Sequence, residues 1–265
     1  MKYVAFLDIL GFKNKLRSQN QLEAKQFIGD FSRTIYSVFN GGEFHDIHGY
    51  VVSDSVILHT SDTAFHSLIA LYDLIQQICQ KEFVEHGILI RGAIAKGEFD
   101  KMPAAELPNL QKGLMVGQAY VDAYLLECSV KSIGINLSEP VYQDIRECYS
   151  NADVVDEKFE NQVRYIMRTI TVDTLLEPDS LRQFVSLANA SEWLPHYYNT
   201  LHFALKLVNS DGKVNQVFDN IFHLLRSADD SGWRKIDRFV ENAFQSEVIS
   251  HFKTRFLRYI RTHLQ

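Results

Sequence analysis

The sequence predicts an α+β domain of the ferredoxin-like kind, followed by a mostly helical extension. Three observations predict it. Apolar runs and amphipathic stretches over residues 3–95 follow the order strand, helix, strand, strand, helix, strand, which is the split βαβ pattern. The middle two strands are separated by three polar residues, Ser53, Asp54 and Ser55, and so read as a tight hairpin with an acid at its tip. From about residue 150 the character changes, and residues 181–264 are mostly helical by periodicity. The expected division is a domain over 1–145 and a helical extension over 146–265, packed on the core or on a dimer.

The elements follow in order. Residues 3–8 form a continuous apolar run closed by Asp8, with Gly11 after it, which reads as a central strand and a turn. Phe27, Ile28, Phe31, Ile35 and Phe39 lie at helical spacing, and Gly41-Gly42 ends that segment. Tyr50-Val51-Val52 and Val56-Ile57-Leu58 are the hairpin strands. Asp62 or Thr63 caps the next helix, which carries Phe65, Leu68, Ile69, Tyr72, Ile75 and Ile78 on one face. Ile88 to Ala95 is again strand-like. Residues 100–113, with Pro103, Pro108 and Gly113, read as a loop, 117–128 as a helix and 130–137 as an apolar segment. Near the end, Ile249, Phe252, Phe256, Ile260 and Leu264 form one stripe, with Lys253, Arg255, Arg258 and Arg261 off it. In the split βαβ order, the first strand neighbours the hairpin. Asp8 and Asp54 therefore come from adjacent strands.

Composition narrows the function. The chain has 265 residues, 46% hydrophobic and 23% charged, enough to bury a core without disulfides or structural metal. The net charge of -6 argues against a nucleic-acid footprint, which needs clustered cations. Three dispersed cysteines, Cys79, Cys128 and Cys148, fit neither a disulfide framework nor a zinc site. No stretch of about 18 apolar residues exists, the length needed to span a membrane. The expectation is a cytoplasmic protein in a reducing compartment, with no nucleic-acid or membrane partner.

Two acids on neighbouring strand ends suit one or two Mg²⁺ or Mn²⁺ ions, hard cations that prefer oxygen ligands. A metal pair activates an attacking hydroxyl and neutralises a triphosphate. Gly11-Phe12-Lys13-Asn14 sits where the first strand meets the first helix, a place where backbone N–H groups cradle phosphate.

Four blocks resemble the class III nucleotidyl cyclases. Phe6-Leu7-Asp8-Ile9-Leu10-Gly11-Phe12 is similar to the first metal motif. Tyr50-Val51-Val52-Ser53-Asp54-Ser55 stands in place of the Lys-x-x-Gly-Asp hairpin. Leu89 to Gly97 is similar to the Arg-x-Gly-Ile-x-x-Gly strand, and Val116 to Glu127 to the Gly-x-x-Val-Asn-x-Ala-x-Arg-Leu helix. The resemblance covers residues 3–137. It implies that Asp8 and Asp54 hold metal, that Ile9 offers a backbone carbonyl to it, and that the active sites are shared across a homodimer.

The family's two purine-selecting positions are Tyr50 and Leu114 here. Neither the adenine nor the guanine pair is present. A bulky tyrosine narrows the pocket against a two-ring base, and its hydroxyl both donates and accepts. With the Gly-x-Ala-x-x-x-Ala-Tyr-x-Leu-Glu helix at Gly117–Glu127, the pattern resembles the pyrimidine cyclases of bacterial anti-phage signalling, the Pycsar systems. That resemblance implies conversion of UTP to cyclic UMP and pyrophosphate, and a product that acts on a separate effector. CTP as substrate and a degenerate nucleotide sensor are the alternatives. The Gly-Gly-Glu-Phe at 41–44 echoes diguanylate cyclases, but it precedes its strand and has one acid too few. The family's transition-state Asn and Arg fall at Val121 and Leu125, so other groups must stabilise the transferring phosphoryl. The candidates are Lys13, Arg91, Lys96 and Lys131, with Tyr120 and Tyr124; Arg91 and Lys96, with Asp8 and Asp54, form the expected catalytic set.

Overall fold

The computed structural model describes residues 1–102, 114–129, 134–159, 162–190, 200–201, 204–205, 211–227, 258–259 and 261–262. Among them the chain runs β1 (Lys2–Ile9), α1 (Phe12–Ser18), α2 (Gln21–Gly41), β2 (Ile47–Val52), β3 (Ser55–Thr60), α3 (Phe65–His86) and β4 (Ile90–Gly97). These seven elements contain the predicted split βαβ order. Next come β5 (Asp100–Met102), β6 (Leu114–Val116), α4 (Gln118–Ser129), β7 (Gly134–Leu137) and α5 (Glu139–Cys148). Then follow β8 (Val154–Phe159), β9 (Gln162–Met167), α6 (Val172–Leu176), α7 (Pro178–Ala190) and α8 (Asp211–Ser227).

A seven-stranded sheet has the order β2-β3-β1-β4-β7-β9-β8, and β5 and β6 form a separate ribbon. β1 lies between β3 and β4, antiparallel to both, and β4 runs parallel to β7. Periodicity does not single out β8 and β9, yet they form a hairpin that extends the sheet past β7. The helices of the C-terminal part begin only at Val172.

Side-chain parity divides the sheet into two faces. Tyr3, Ala5, Leu7 and Ile9 of β1 join Ile90 and Ile94 of β4 and the buried sides of α2, α3 and α5 in the main core. Val4 and Phe6 join Ile57, Ala95 and Phe99 on the other face, which α4 covers through Ala119 and Ala123. Most elements start for local reasons. Asn20 caps α2, accepting from Leu22 and Glu23 N–H, while Glu23 returns a bond to the Asn20 N–H. Asp62 accepts from the Ala64 N–H and the Ser67 hydroxyl at the start of α3. Gly117 (φ 152) opens α4 where a Cβ would lie 2.2 Å from the Glu98 carbonyl oxygen, so only glycine fits.

Most of the basic stripe near the C-terminus lies outside the described residues. Within them, Tyr259 is buried against Phe218 of α8 and hydrogen-bonds Asp219, while Arg258 and Arg261 are exposed.

Candidate active site

The site is built on the ends of β1, β3 and β4. Asp8 is the register partner of Ser55 on one side and of Arg91 on the other. The hairpin turn has two residues, with Ser53 in the left-handed region (φ 60). The Ile9 N–H donates to the Asp54 carbonyl oxygen at 3.1 Å, which ties the turn to the end of β1. Asp8 and Asp54 are both half-buried, at the edge of the core and not in its dry interior.

Three groups converge on the Asp8 carboxylate. The Ser55 hydroxyl donates to Oδ1 at 3.2 Å, and Arg91 Nη2 donates to Oδ2 at 3.1 Å. The Asp54 charge acts on it through space. The Asp8 carboxyl is pushed up to about 6 in sum: burial raises it most, Arg91 pulls it down, and Asp54 and Glu127 add to the rise. A carboxylate that is costly to ionise and faces a second acid is suited to a cation. In this structure the Arg91 guanidinium holds that place. The donor set, two carboxylates and the neighbouring Ile9 carbonyl, fits a hard divalent ion. Among the described residues no cluster of three or more His, Cys, Asp or Glu side chains is arranged to hold a metal, so the fit rests on this pair.

Arg91 has a second acid that sequence reasoning did not assign a role. Its Nε lies 2.6 Å from Glu127 Oε1 of α4, and the Glu127 side chain is 2% exposed. A signal for it was present. Ala119, Ala123 and Glu127 recur at spacing four, so the acid continues the small-residue stripe that faces the sheet.

Lys96 does not join this group. It is five residues beyond Arg91 on the same strand, and parity turns it to the opposite face. There Lys96 Nζ pairs with Asp144 of α5 at 2.7 Å and lies over the Tyr3 ring. Lys96, expected in the catalytic set, thus lies apart from Asp8 and Arg91 in this chain. Lys131 lies outside the described residues. Gly11 adopts φ 76 just before α1, as a strand-to-helix turn requires. Phe12 packs on Phe27, and Lys13 is exposed.

Tyr50 stacks on His59 at 6.1 Å, and His59 packs on Phe99 at 4.7 Å. Burial pushes the His59 imidazole down, so a neutral ring backs the tyrosine. The β5–β6 ribbon meets this cluster: Lys101 Nζ lies 5.2 Å over the Tyr50 ring, and Met115 packs on the same cluster. Leu114 is 43% exposed on that ribbon, opposite Met102. Val121 and Leu125 are exposed on α4, as is Tyr124, which meets Phe6 edge-on at 5.3 Å.

Comparison with known proteins agrees with this architecture. No protein-family model matches the chain, and no curated protein sequence matches it. Among solved structures, the adenylyl cyclase CyaB from P. aeruginosa is similar with a TM-score of 0.50 and 14% identity, over 63% of this chain and 92% of that one. The non-canonical dimeric guanylyl cyclase domain of the RhoGC fusion protein from the aquatic fungus Blastocladiella emersonii is similar with a TM-score of 0.50 and 14% identity, over 62% and 91%. The chain therefore has the fold of the class III nucleotidyl cyclase domains.

Proposed function

We propose that the protein is a metal-dependent nucleotidyl cyclase that converts a nucleoside triphosphate to its 3′,5′-cyclic monophosphate and pyrophosphate. One observation carries the reading: on a cyclase fold, Asp8 and Asp54 meet on adjacent strand ends with Arg91 beside them. Asp8, Asp54 and the Ile9 carbonyl hold Mn²⁺ or Mg²⁺, one or two ions per site. Bound there, divalent ions lower the cost of ionising the ribose 3′-hydroxyl and neutralise the triphosphate.

In the reaction the 3′-hydroxyl gives up its proton to solvent water. A bond forms from O3′ to the α-phosphorus as the bond to the β-phosphate oxygen breaks. Arg91, the cation on the same face as both acids, is the triphosphate partner. The turn at Gly11, Phe12 and Lys13 lies next to the triphosphate. Neither Val121 nor Leu125 has a side-chain donor, so Arg91 and Lys13 carry the electrostatic load, with Tyr120 and Tyr124 as the hydroxyls on α4.

The base is a pyrimidine in this reading. Tyr50, fixed against His59 and overlain by Lys101, and Leu114 replace the family's purine selectors. UTP is the preferred substrate, with CTP as the alternative. The likeness to the Pycsar cyclases supports a role in anti-phage signalling, with cyclic UMP acting on a separate effector. The catalytic unit is a homodimer. A cleft of about 650 Å³ is lined by Lys96, Asp122, Leu125, Ser138 and Arg164 and includes neither aspartate. In this reading a second chain completes the aspartate site.

The test is incubation with each of the four nucleoside triphosphates and Mn²⁺ or Mg²⁺, with mass analysis of products. Cyclic UMP is expected, and it should disappear in Asp8→Ala and Asp54→Ala variants that keep the fold. A second reading is favoured by Val121 and Leu125: a degenerate cyclase fold that senses nucleotide. It predicts a nucleotide-induced thermal shift and no pyrophosphate.

A further inference from the structure

We infer that Glu127 is a positioning residue that sets how firmly Arg91 occupies Asp8, and so controls entry of the divalent ion. The inference rests on the cyclase reading of Asp8 and Asp54 and extends it to a residue that neither coordinates metal nor touches nucleotide.

Arg91 is shared between two carboxylates. Nη2 donates to Asp8 Oδ2 at 3.1 Å, and Nε lies 2.6 Å from Glu127 Oε1. The two contacts differ in quality. The Asp8 contact is an aligned hydrogen bond. The Glu127 contact is close, yet Arg91 Nε and Glu127 Oε1 are both buried without an aligned hydrogen-bond partner. The other Glu127 oxygen accepts from the Cys128 thiol at 3.3 Å. The guanidinium is thus shared between the two acids, with 27% of its side chain exposed and Asp8 at 18%.

That geometry has a consequence for metal binding. A divalent ion on Asp8 displaces the guanidinium from Oδ2. With Glu127 absent, that displacement leaves a largely buried guanidinium without a counter-charge, which is costly. With Glu127 in place, Arg91 has an acid to fall back on and keeps its charge beside the site, where a triphosphate arrives. Glu127 therefore weakens the Asp8–Arg91 lock and keeps the freed arginine on the correct face. Backbone register supports the fixed geometry: Asp8 and Arg91 are direct cross-strand partners, and α4 is seated on β4 and β1 through Ala119 and Ala123.

The test is a double-mutant cycle read by Mn²⁺ affinity, measured by the loss of the free-ion electron paramagnetic resonance signal without nucleotide or turnover. Glu127→Gln keeps the shape and removes the charge. It should weaken Mn²⁺ binding about tenfold, the size expected for groups in direct contact. In the Arg91→Met background, the same Glu127→Gln change should have no effect on Mn²⁺ affinity. An equal weakening in both backgrounds overturns the proposal, because Glu127 then acts through its field and not through Arg91. If Glu127→Gln does not fold, the apolar pair Arg91→Met/Glu127→Leu is used; it should bind Mn²⁺ several-fold more tightly than wild type, and weaker or equal binding overturns the inference. Wild-type protein that binds no Mn²⁺, or Asp54→Asn protein that binds it unchanged, overturns the metal-site reading as well, so the two failures are distinguishable.

Discussion

Ser53 sits at the tip of the β2–β3 turn with φ 60, a conformation that costs a side chain about 1 kcal/mol and a glycine much less. The cyclase hairpin motif has glycine at this place, and the geometry gives the reason. Ser53→Gly is expected to raise stability by about 0.5–1 kcal/mol in urea unfolding, with Ser53→Ala giving no gain. Tyr50 acts at the same scale. Its ring is held between His59 and Lys101, so truncation opens the corner without disturbing the sheet. Tyr50→Ala should broaden the product spectrum in a mixture of four triphosphates, with cyclic products appearing from bases that the wild type excludes. An unchanged spectrum would mean that Tyr50 does not choose the base.

At the scale of elements, helix packing buries an acid that the chemistry does not use. Glu82 of α3 is fully buried near Thr34 of α2, and burial pushes its carboxyl up to about 7. The sign follows from linkage. The folded protein retains a proton that the unfolded chain releases near 4.5, so the associated stability is complete below about 4.5 and is lost as pH rises through about 7. Glu82→Gln should flatten that decline and stabilise the protein at pH 8 by on the order of 2 kcal/mol, read by thermal unfolding across pH. The start of α4 is the opposite case, where nothing larger fits. A Cβ on Gly117 would lie 2.2 Å from the Glu98 carbonyl oxygen, so Gly117→Ala must push α4 off the sheet or break the turn. A loss of about 3 kcal/mol is expected, with Arg91 and Glu127 displaced from each other as a result.

At the scale of the whole molecule, α4 presents Val121, Tyr124 and Leu125 to solvent. If two chains build each site, specific activity should fall as the protein is diluted below its dimer dissociation constant. Leu125→Asp should lower it further while leaving the circular dichroism spectrum of the monomer intact. Full activity from a dilute monomer would reject the shared site.

The sequence by itself determined the order of the strands and of the two long helices as far as β4, though not the short α1, and with it the placing of Asp8 and Asp54 on adjacent strands. Hydrophobic periodicity reports each element locally, and the split βαβ connection then leaves few ways to arrange them. Much of the strand that carries Arg91 and Lys96 was legible too, but the sequence reading grouped the two residues, although positions five apart on a strand face opposite ways. Tertiary structure alone decided the rest. The β8–β9 hairpin joins the sheet because β7 offers it an open edge, which no local pattern reveals. Likewise, Glu127 comes beneath Arg91 only because α4 crosses β4 at that height, and the contact joins residues 36 positions apart. Charge pairing of this kind depends on where two packed surfaces come to rest, and that is a property of the folded core, not of any stretch of chain.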